Sequence, residues 1–219
     1  EVLDKVAYLL RQRGNDERPL FLYVHFMDTH LPYDPPLEHR IFSEPDYAGP
    51  MDGSGAPYRM LNGNHVEEVI SNEDRNQVIA LYDGEIRQFD ESLTQLRQLT
   101  DQYLADRDVV TLVTSDHGEA FGEGPQGRYK HGHGTAPYVS RVPLILHGIS
   151  PDNRSPFPSL SSGRVNLRVG LVDIFPTFLE LAGATPPKFV DGRSLLSPQA
   201  ERDFIFYRGG PSPHRVASG

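Results

Sequence analysis

The chain contains no cysteine, and this absence removes three kinds of chemistry from its 219 residues. Disulfides, cysteine-based zinc sites and a cysteine nucleophile are all excluded within this segment. An excess of positive charge is also missing, because the formal net charge is −9. An acidic chain repels the phosphate backbone of nucleic acid, so we expect no nucleic-acid partner.

Long apolar runs are missing as well, and the N-terminus lacks the basic-then-apolar pattern of a signal peptide. The longest apolar runs have the length of a strand, which predicts no membrane-spanning segment in this chain. Hydrophobic residues still make up 37% of the sequence. At this length they are enough for one ordinary domain with its own core, so we expect a single domain over residues 1–219.

Apolar periodicity predicts helices that alternate with strands. A strand, a long helix and a second strand in that order predict a parallel crossover, and therefore an α/β fold. The long helix begins after a cap at Ser71 or Asn72, and the last helix contains Pro176, which predicts a kink or a start near that proline. The predicted helices cover 2–13, 72–99 and 169–182; the predicted strands cover 20–26, 109–114, 142–147 and 204–207; residues 34–70 are predicted to be irregular.

Acidic residues on the long helix have a simple interpretation. Asp83, Glu85 and Asp90 lie within its predicted span. Charges along a helix usually form a solvated face or pair with a basic neighbour. We therefore expect these three residues to face solvent or to pair with Arg87.

Asp116 and His117 follow directly after the strand predicted at 109–114. The carboxyl end of a strand is where α/β proteins bind ligands, and a carboxylate oxygen beside an imidazole nitrogen is half of a plausible divalent-metal site. The alternative is a polar turn that Gly118 completes.

Two further histidine clusters also come after predicted strands. His30 follows the first strand, while His131 and His133 follow the second in a glycine-rich stretch with Lys130. If the strands are parallel, their carboxyl ends share one edge of the sheet, and these groups could meet Asp116 in one pocket. The alternatives are that His30 caps a turn and that residues 130–133 form a solvated loop.

Taken in series, these motifs resemble the C-terminal half of the catalytic domain of the sulfatases, which belong to the alkaline phosphatase superfamily. The resemblance implies an α/β fold, a partial alkaline-phosphatase-like sandwich with a mainly parallel sheet flanked by helices. The motifs that carry it are Tyr82–Ile86 with Asp90, Thr114–Glu119, Gly122-Glu123, His131–Gly134, Arg141–Leu146, Val172–Thr177 and Asp191–Leu195.

The resemblance also implies an activity, the metal-dependent hydrolysis of a sulfuric ester. Asp116 and His117 would be metal ligands for calcium, with magnesium, manganese or zinc as other options. His30 would contact the sulfate and help to protonate the leaving oxygen. His131 or His133 would bind the outer oxygens of the anion, with Lys130 nearby; counting back from Arg141 favours His131, whereas a short deletion would favour His133.

Two expected parts of the family pattern do not occur in the sequence. The strand with two acidic metal ligands is missing, and so is the Cys/Ser-x-Pro-x-Arg motif whose first residue becomes formylglycine. The resemblance thus implies a domain cut at both ends, with the formylglycine nucleophile outside this segment, and we expect the segment alone to be inactive. By the same resemblance we expect a periplasmic, extracellular or membrane-anchored protein.

Two other functions stay open on these residues. Histidine at position 117 is the variant shared with phosphoric and phosphonic ester hydrolases and with lipid-headgroup phosphotransferases of the superfamily, so a phosphate ester is the alternative substrate. A non-catalytic relative is the third option.

Overall fold

The computed structural model describes residues 2–54, 70–123, 127, 129–132, 134–152, 157 and 162–196. The chain forms two compact units, the first from 1–105 and 119–132, the second from 106–118 and 133–219. Three sequence predictions lie wholly or partly outside the described residues: His133 as an anion-binding residue, the strand at 204–207, and positions 55–69 of the irregular stretch 34–70.

Two helices build the first unit, and both were predicted. Helix α1 spans Val2–Arg13 and helix α2 spans Asn72–Tyr103. Ser71 caps α2, because its side chain accepts a hydrogen bond from the backbone N–H of Asp74. Helix α1 packs against α2 and buries Val6 and Leu10, the apolar face that the helical spacing indicates.

The core of the first unit joins α2 to loops that precede and follow it. Its members are Tyr33, Met51, Val78, Leu81, Phe121 and Tyr129. Gly84 allows the close approach of one of these loops, since a Cβ there would lie 2.8 Å from both the His39 carbonyl oxygen and Pro35 Cγ. A short 3-10 turn, Leu37–His39, lies against α2 at this point.

The strand predicted at 20–26 is wrong for the described residues, where this segment belongs to no sheet. Its side chains nevertheless alternate between more and less exposed positions, as in an extended chain. A strand is defined by backbone hydrogen bonds to a neighbour, and the apolar sequence alone does not provide that neighbour.

The second unit contains a two-stranded sheet. Strand β1, Val109–Thr114, pairs with β2, Leu144–Ile149, with Thr114 opposite Leu144. The prediction of β1 is confirmed, and β2 begins two residues later than predicted. The pairing is antiparallel. The predicted parallel crossover joined the segment 20–26 to β1, and it is wrong for the described residues because 20–26 belongs to no sheet. The connection between the two strands contains one short helix, α3 (Pro137–Ser140).

The last helix follows a buried aspartate. Helix α4 spans Ile174–Leu181 after a 3-10 turn, so Pro176 lies in its first turn, where a missing N–H is tolerated. Asp173 is buried and accepts hydrogen bonds from the backbone N–H groups of Gly170, at 2.9 Å, and Arg193, at 2.7 Å. Over the described ranges, no helix combines the length and apolar character that a membrane span needs.

Candidate active site

His30 lies in a tight turn with its ring anchored by the backbone. Its N–H donates to the carbonyl of Met27 at 3.1 Å, and its Nδ1 lies 2.9 Å from the carbonyl oxygen of Leu31. Because a carbonyl only accepts, Nδ1 carries the proton in this bond. The second ring nitrogen, Nε2, is then the atom that can exchange a proton with a ligand.

His131 lies next to His30, with the two ring centroids 5.8 Å apart. Its Nδ1 is 3.2 Å from Oε1 of Glu119, whose side chain is only 6% exposed. The hydroxyl of Tyr33 donates to the other oxygen of the same carboxylate, at 2.7 Å. Glu119 therefore anchors the His131 ring through Nδ1, as the Leu31 carbonyl anchors His30.

A short antiparallel bridge explains why Glu119 and His131 meet. Phe121 pairs with Tyr129, and the N–H of Lys130 donates to the carbonyl of Ala120 at 2.9 Å. The chain thus runs back on itself and places His131 beside Glu119. Burial lowers the pKa of Lys130, and the charge of Glu119 opposes this shift.

Both histidines follow a residue with a left-handed backbone. Thr29 has φ of +73° and Lys130 has φ of +70°. Residues other than glycine rarely adopt this conformation, and for a β-branched threonine it costs on the order of 1–3 kcal/mol. Such strain persists only where surrounding contacts hold the backbone, and it concentrates at functional sites.

Three aromatic rings support the two histidine loops; we call them the aromatic triad. Tyr33 belongs to the His30 loop, Tyr82 to α2 and Phe121 to the segment that carries Glu119. Tyr82 contacts Tyr33 edge-to-face at 5.4 Å and Phe121 edge-to-face at 4.9 Å. Edge-to-face pairs are favoured by the charge distribution of the rings, so the triad fixes three distant parts of the sequence together.

Glu85 is the residue that the sequence prediction placed wrongly. It is 7% exposed rather than solvent-facing. Its Oε2 accepts the N–H of Thr29 at 2.8 Å, and its Oε1 accepts the N–H of Asp34 at 3.0 Å. A signal was present, since Val78, Leu81 and Glu85 share one helical face and the first two are core residues. By contrast, Asp90 pairs with Arg87 as predicted, at 3.6 Å.

The buried position of Glu85 gives a testable pH dependence. Burial raises its pKa from 4.5 to about 7, the charges of Asp28 and Asp34 act in the same direction, and the two N–H bonds oppose it. Protonated Glu85 is thus the form that folding favours. Its contribution, about 3 kcal/mol, is present below pH 4.5 and is lost as the pH rises through about 7.

We expect urea unfolding between pH 4.5 and 8 to show this loss in the wild-type protein and not in Glu85→Gln, which has no titrating group at the position. The quantity to compare is the difference in unfolding free energy between the two proteins at each pH, because other groups titrate equally in both. A difference that stays constant over this range would contradict the expectation.

Asp116 and His117 lie in the second unit, immediately after β1. The His117 N–H donates to Oδ1 of Asp116 at 3.0 Å, and Nδ1 of His117 lies 2.9 Å from the carbonyl oxygen of Gly118. Nδ1 therefore carries the proton, and Nε2 has the lone pair of the neutral ring. Gly118 is required here because a Cβ would lie 2.3 Å from the Tyr138 carbonyl oxygen.

The pair fits two positions of a metal's coordination shell. Oδ2 of Asp116 is 3.7 Å from Nε2 of His117, close to the separation of about 3–3.5 Å between neighbouring ligands around a divalent ion. The Asp116 side chain is 81% exposed and that of His117 is 40% exposed, so both are accessible. Nδ1 bonded to a carbonyl is the usual outer contact of a metal-binding histidine. Across the ranges the structure describes, no cluster of three or more potential ligands occurs.

The structure thus brings together part of the predicted site. His30, His131 and Lys130 lie in the first unit, with the two histidine rings adjacent. Asp116 and His117 lie side by side in the second unit. Their convergence with the first group, and the roles of all five residues, stay predictions. Sequence patterns identified none of the supporting residues Tyr33, Glu85 and Glu119.

Comparison with known proteins places the chain in a family. The family model described as Sulfatase matches residues 1–184. The chain is 28% identical over 211 residues to an arylsulfatase of Clostridium perfringens. The aligned residues cover 92% of this chain and 42% of that protein. The chain is 26% identical over 224 residues to the steryl-sulfatase of Mus musculus, covering 93% of this chain and 29% of that protein.

A third relative carries a broader name. The multifunctional alkaline phosphatase superfamily protein PehA of Trinickia caryophylli is 24% identical over 213 residues, covering 86% of this chain and 39% of that protein. The chain thus spans about two fifths or less of the length of these relatives. The family model covers most of the 219 residues, and the stretches at 82–86, 114–119 and 131–134 lie within the matched range. The chain belongs to the sulfatase family, with its alkaline-phosphatase-like α/β fold.

Proposed function

We propose that this chain forms part of the active site of a metal-dependent sulfatase that hydrolyses sulfuric esters. One observation carries the proposal: His30, His117 and His131 are all anchored through Nδ1, by a carbonyl, a carbonyl and a carboxylate. This arrangement assigns the chemistry of each ring to Nε2. Membership of the sulfatase family supports the same conclusion.

His131 and Lys130 bind the anion in this proposal. A sulfate ester carries its charge on the outer oxygens, and donors fixed before the reaction stabilise charge there better than mobile ones. His131 is fixed by the buried carboxylate of Glu119. Lys130 contributes a positive charge from the adjacent position.

His30 supplies the proton to the leaving group. As an oxygen nucleophile from outside this segment bonds to sulfur, the bond between sulfur and the ester oxygen breaks. The ester oxygen takes the proton from Nε2 of the His30 imidazolium, and the ring keeps its Nδ1 proton bonded to the Leu31 carbonyl. Imidazole suits this exchange because it gains and loses a proton near neutral pH. General acid catalysis of this kind contributes about 10²–10⁴-fold to a rate.

Asp116 and His117 would hold the divalent ion through Oδ2 and Nε2. A bound divalent ion polarises an oxygen of the ester and lowers the pKa of an oxygen nucleophile. The carboxylate oxygen suits calcium, magnesium or manganese, and the imidazole nitrogen suits zinc. Of these ions, calcium is the one that the resemblance favours. Two donors are fewer than the four or more that such an ion takes, so residues beyond this pair complete the shell.

A phosphate ester is the second candidate substrate. The observation that favours it is the similarity to the protein named as a multifunctional member of the alkaline phosphatase superfamily, together with histidine rather than asparagine at position 117. Phosphate and sulfate share a tetrahedral shape, but a phosphate monoester carries more charge. The same anchored histidines would bind either anion.

Hydrolysis of p-nitrophenyl sulfate and p-nitrophenyl phosphate by the full-length natural protein tests the proposal. We expect the sulfate to be the better substrate, with activity lost on chelation of divalent ions and regained on adding calcium. His131→Gln should raise the inhibition constant of inorganic sulfate by about 10–100-fold, as expected for loss of a charge-assisted contact. Arg97→Gln is the control, because it removes a positive charge from an exposed position on α2. This variant should leave the inhibition constant of sulfate unchanged.

The outcomes separate the candidates. Higher kcat/KM for the phosphate ester would replace the proposal by the second candidate. Turnover of neither ester, with no binding of inorganic sulfate, would indicate a non-catalytic relative and overturn both.

A further inference from the structure

We propose that Glu85 is the positioning residue of His30: its buried carboxylate holds both ends of the turn that presents the His30 ring. The inference rests on the proposed function for the role of His30. The contacts of Glu85 themselves do not depend on it.

Glu85 forms two hydrogen bonds to the turn, one on each side of His30, and we call this pair of bonds the Glu85 clamp. One carboxylate oxygen accepts the N–H of Thr29, directly before His30, and the other accepts the N–H of Asp34, four residues after it. Glu85 comes from α2, more than 50 positions away along the chain. Because Glu85 is carried by a helix, its two hydrogen bonds fix the position and orientation of the turn relative to α2.

Thr29 explains why a clamp is needed. Its φ of +73° is a conformation that a threonine leaves when nothing holds it. The hydrogen bond from its N–H to Glu85, at 2.8 Å, holds it there. Since Thr29 precedes His30, a change in its backbone dihedral would rotate the His30 ring away from its present direction.

The groups that face Glu85 are acidic or neutral. Asp28 and Asp34 lie in the turn, and Tyr82 lies on the same helix. Asp34 forms an ion pair with Arg40. No described basic side chain forms an ion pair with Glu85 at the distances that define such pairs, so the two backbone N–H groups are the donors shown for the carboxylate.

A positioning role has a kinetic signature that a general packing role lacks. Protonation of the leaving oxygen matters most when the leaving group is a poor one, such as an alkyl alcohol, and little when it is p-nitrophenol. Displacement of His30 by about 1 Å should therefore slow alkyl sulfate hydrolysis by about 10²-fold. Binding of inorganic sulfate, which depends on His131 and Lys130, should change less than threefold.

The test compares Glu85→Gln with wild type in the full-length natural protein at about pH 8, above the Glu85 pKa of about 7, so that both carboxylate oxygens act as acceptors. A glutamine at this position keeps one acceptor oxygen, so one of the two N–H groups loses its partner while the side-chain volume stays the same. We expect kcat for an alkyl sulfate to fall about 10²-fold and kcat for p-nitrophenyl sulfate to fall less than threefold. Glu91→Gln, on the same helix and paired with His39, is the matched control and should change neither rate.

A second variant tests the mechanism directly. Glycine adopts positive φ without steric cost, so Thr29→Gly in the Glu85→Gln background should recover at least tenfold of the lost alkyl sulfate rate. Hydrogen exchange of the peptide that contains residues 27–36 should be about tenfold faster in Glu85→Gln than in wild type, with unchanged exchange at α1.

The possible results are distinguishable. Equal losses for both esters, or unchanged exchange in the 27–36 peptide, would overturn the role of Glu85 even if the protein is an active sulfatase. If exchange in the 27–36 peptide is faster in Glu85→Gln but the wild-type protein cleaves neither a sulfate nor a phosphate ester, the proposed function is overturned while the role of Glu85 in holding the turn stands.

Discussion

Replacing Asp116 with asparagine will lower kcat/KM for p-nitrophenyl sulfate by about 10³-fold, if this residue is a metal ligand. The substitution keeps the size of the side chain and the acceptor for the His117 N–H, but it removes the negative charge and weakens the bond to a hard cation. A metal ion contributes several kcal/mol of charge stabilisation in such reactions, and about 4 kcal/mol corresponds to that loss in rate.

The measurement is a calcium titration of activity with metal content determined in parallel. Asp101→Asn, an exposed aspartate that pairs with Arg97 on α2, removes the same charge and should leave both quantities unchanged. If Asp116→Asn binds metal with wild-type stoichiometry and retains more than a tenth of the activity, Asp116 is not a ligand.

Replacing Tyr33 with alanine will destabilise the first unit by about 3–5 kcal/mol, the usual cost of removing a buried aromatic ring. Tyr33 is 2% exposed, belongs to the aromatic triad and donates its hydroxyl to Glu119. Tyr33→Phe keeps the ring and should cost less, about 1–3 kcal/mol, because a buried carboxylate loses one donor. This pair of variants separates packing from hydrogen bonding at one position.

Urea unfolding followed by the fluorescence of the tyrosines provides the measurement. Tyr23→Ala is the control, because Tyr23 is 75% exposed and a surface substitution of this kind usually changes stability by less than about 0.5 kcal/mol. Equal midpoints for Tyr33→Ala and Tyr23→Ala would show that the aromatic triad does not stabilise the unit.

Local signals predicted the helices well. The apolar spacing of α1, the serine cap of α2 and the glycine that follows α4 all act within a few residues, and α1 and the start of α2 occur where those signals place them. Helix α2 extends to Tyr103 rather than 99, and α4 begins at Ile174 rather than 169, which agrees with the predicted start near Pro176. Gly183, with φ of +69°, ends the last helix as a left-handed residue does. The sequence also predicted strand β1, because its run of β-branched residues has the length and composition of a strand.

Sheet partners could not be predicted in the same way. Whether β1 and β2 run parallel depends on the path of the residues between them, and the sequence there predicts neither the four-residue helix α3 nor the antiparallel return. The segment 20–26 has a strand's composition but depends on a neighbour for its hydrogen bonds. Pairing is a long-range property, so local propensity is a weak guide to it.

The candidate site shows the same division. His30, His131, Asp116 and His117 are readable because their residue types and motifs resemble those of a family with known chemistry. Glu85 and Glu119 lie within the motifs at 82–86 and 114–119, but those motifs assigned them no role, since a glutamate on a helix or after a glycine is usually solvated. Only the fold reveals that each is buried and holds a backbone turn or a histidine ring.

The extended segment at residues 20–27 has a practical consequence for handling these 219 residues. Leu20, Phe21, Tyr23 and Met27 are all exposed large hydrophobics, in a stretch with strand-like alternation and no charged side chain before Asp28. Exposed apolar edges of this kind are templates on which other chains add by cross-strand association. We therefore expect these residues to stay monodisperse at low protein concentration, or with the charged substitution Phe21→Lys or Tyr23→Lys in this segment.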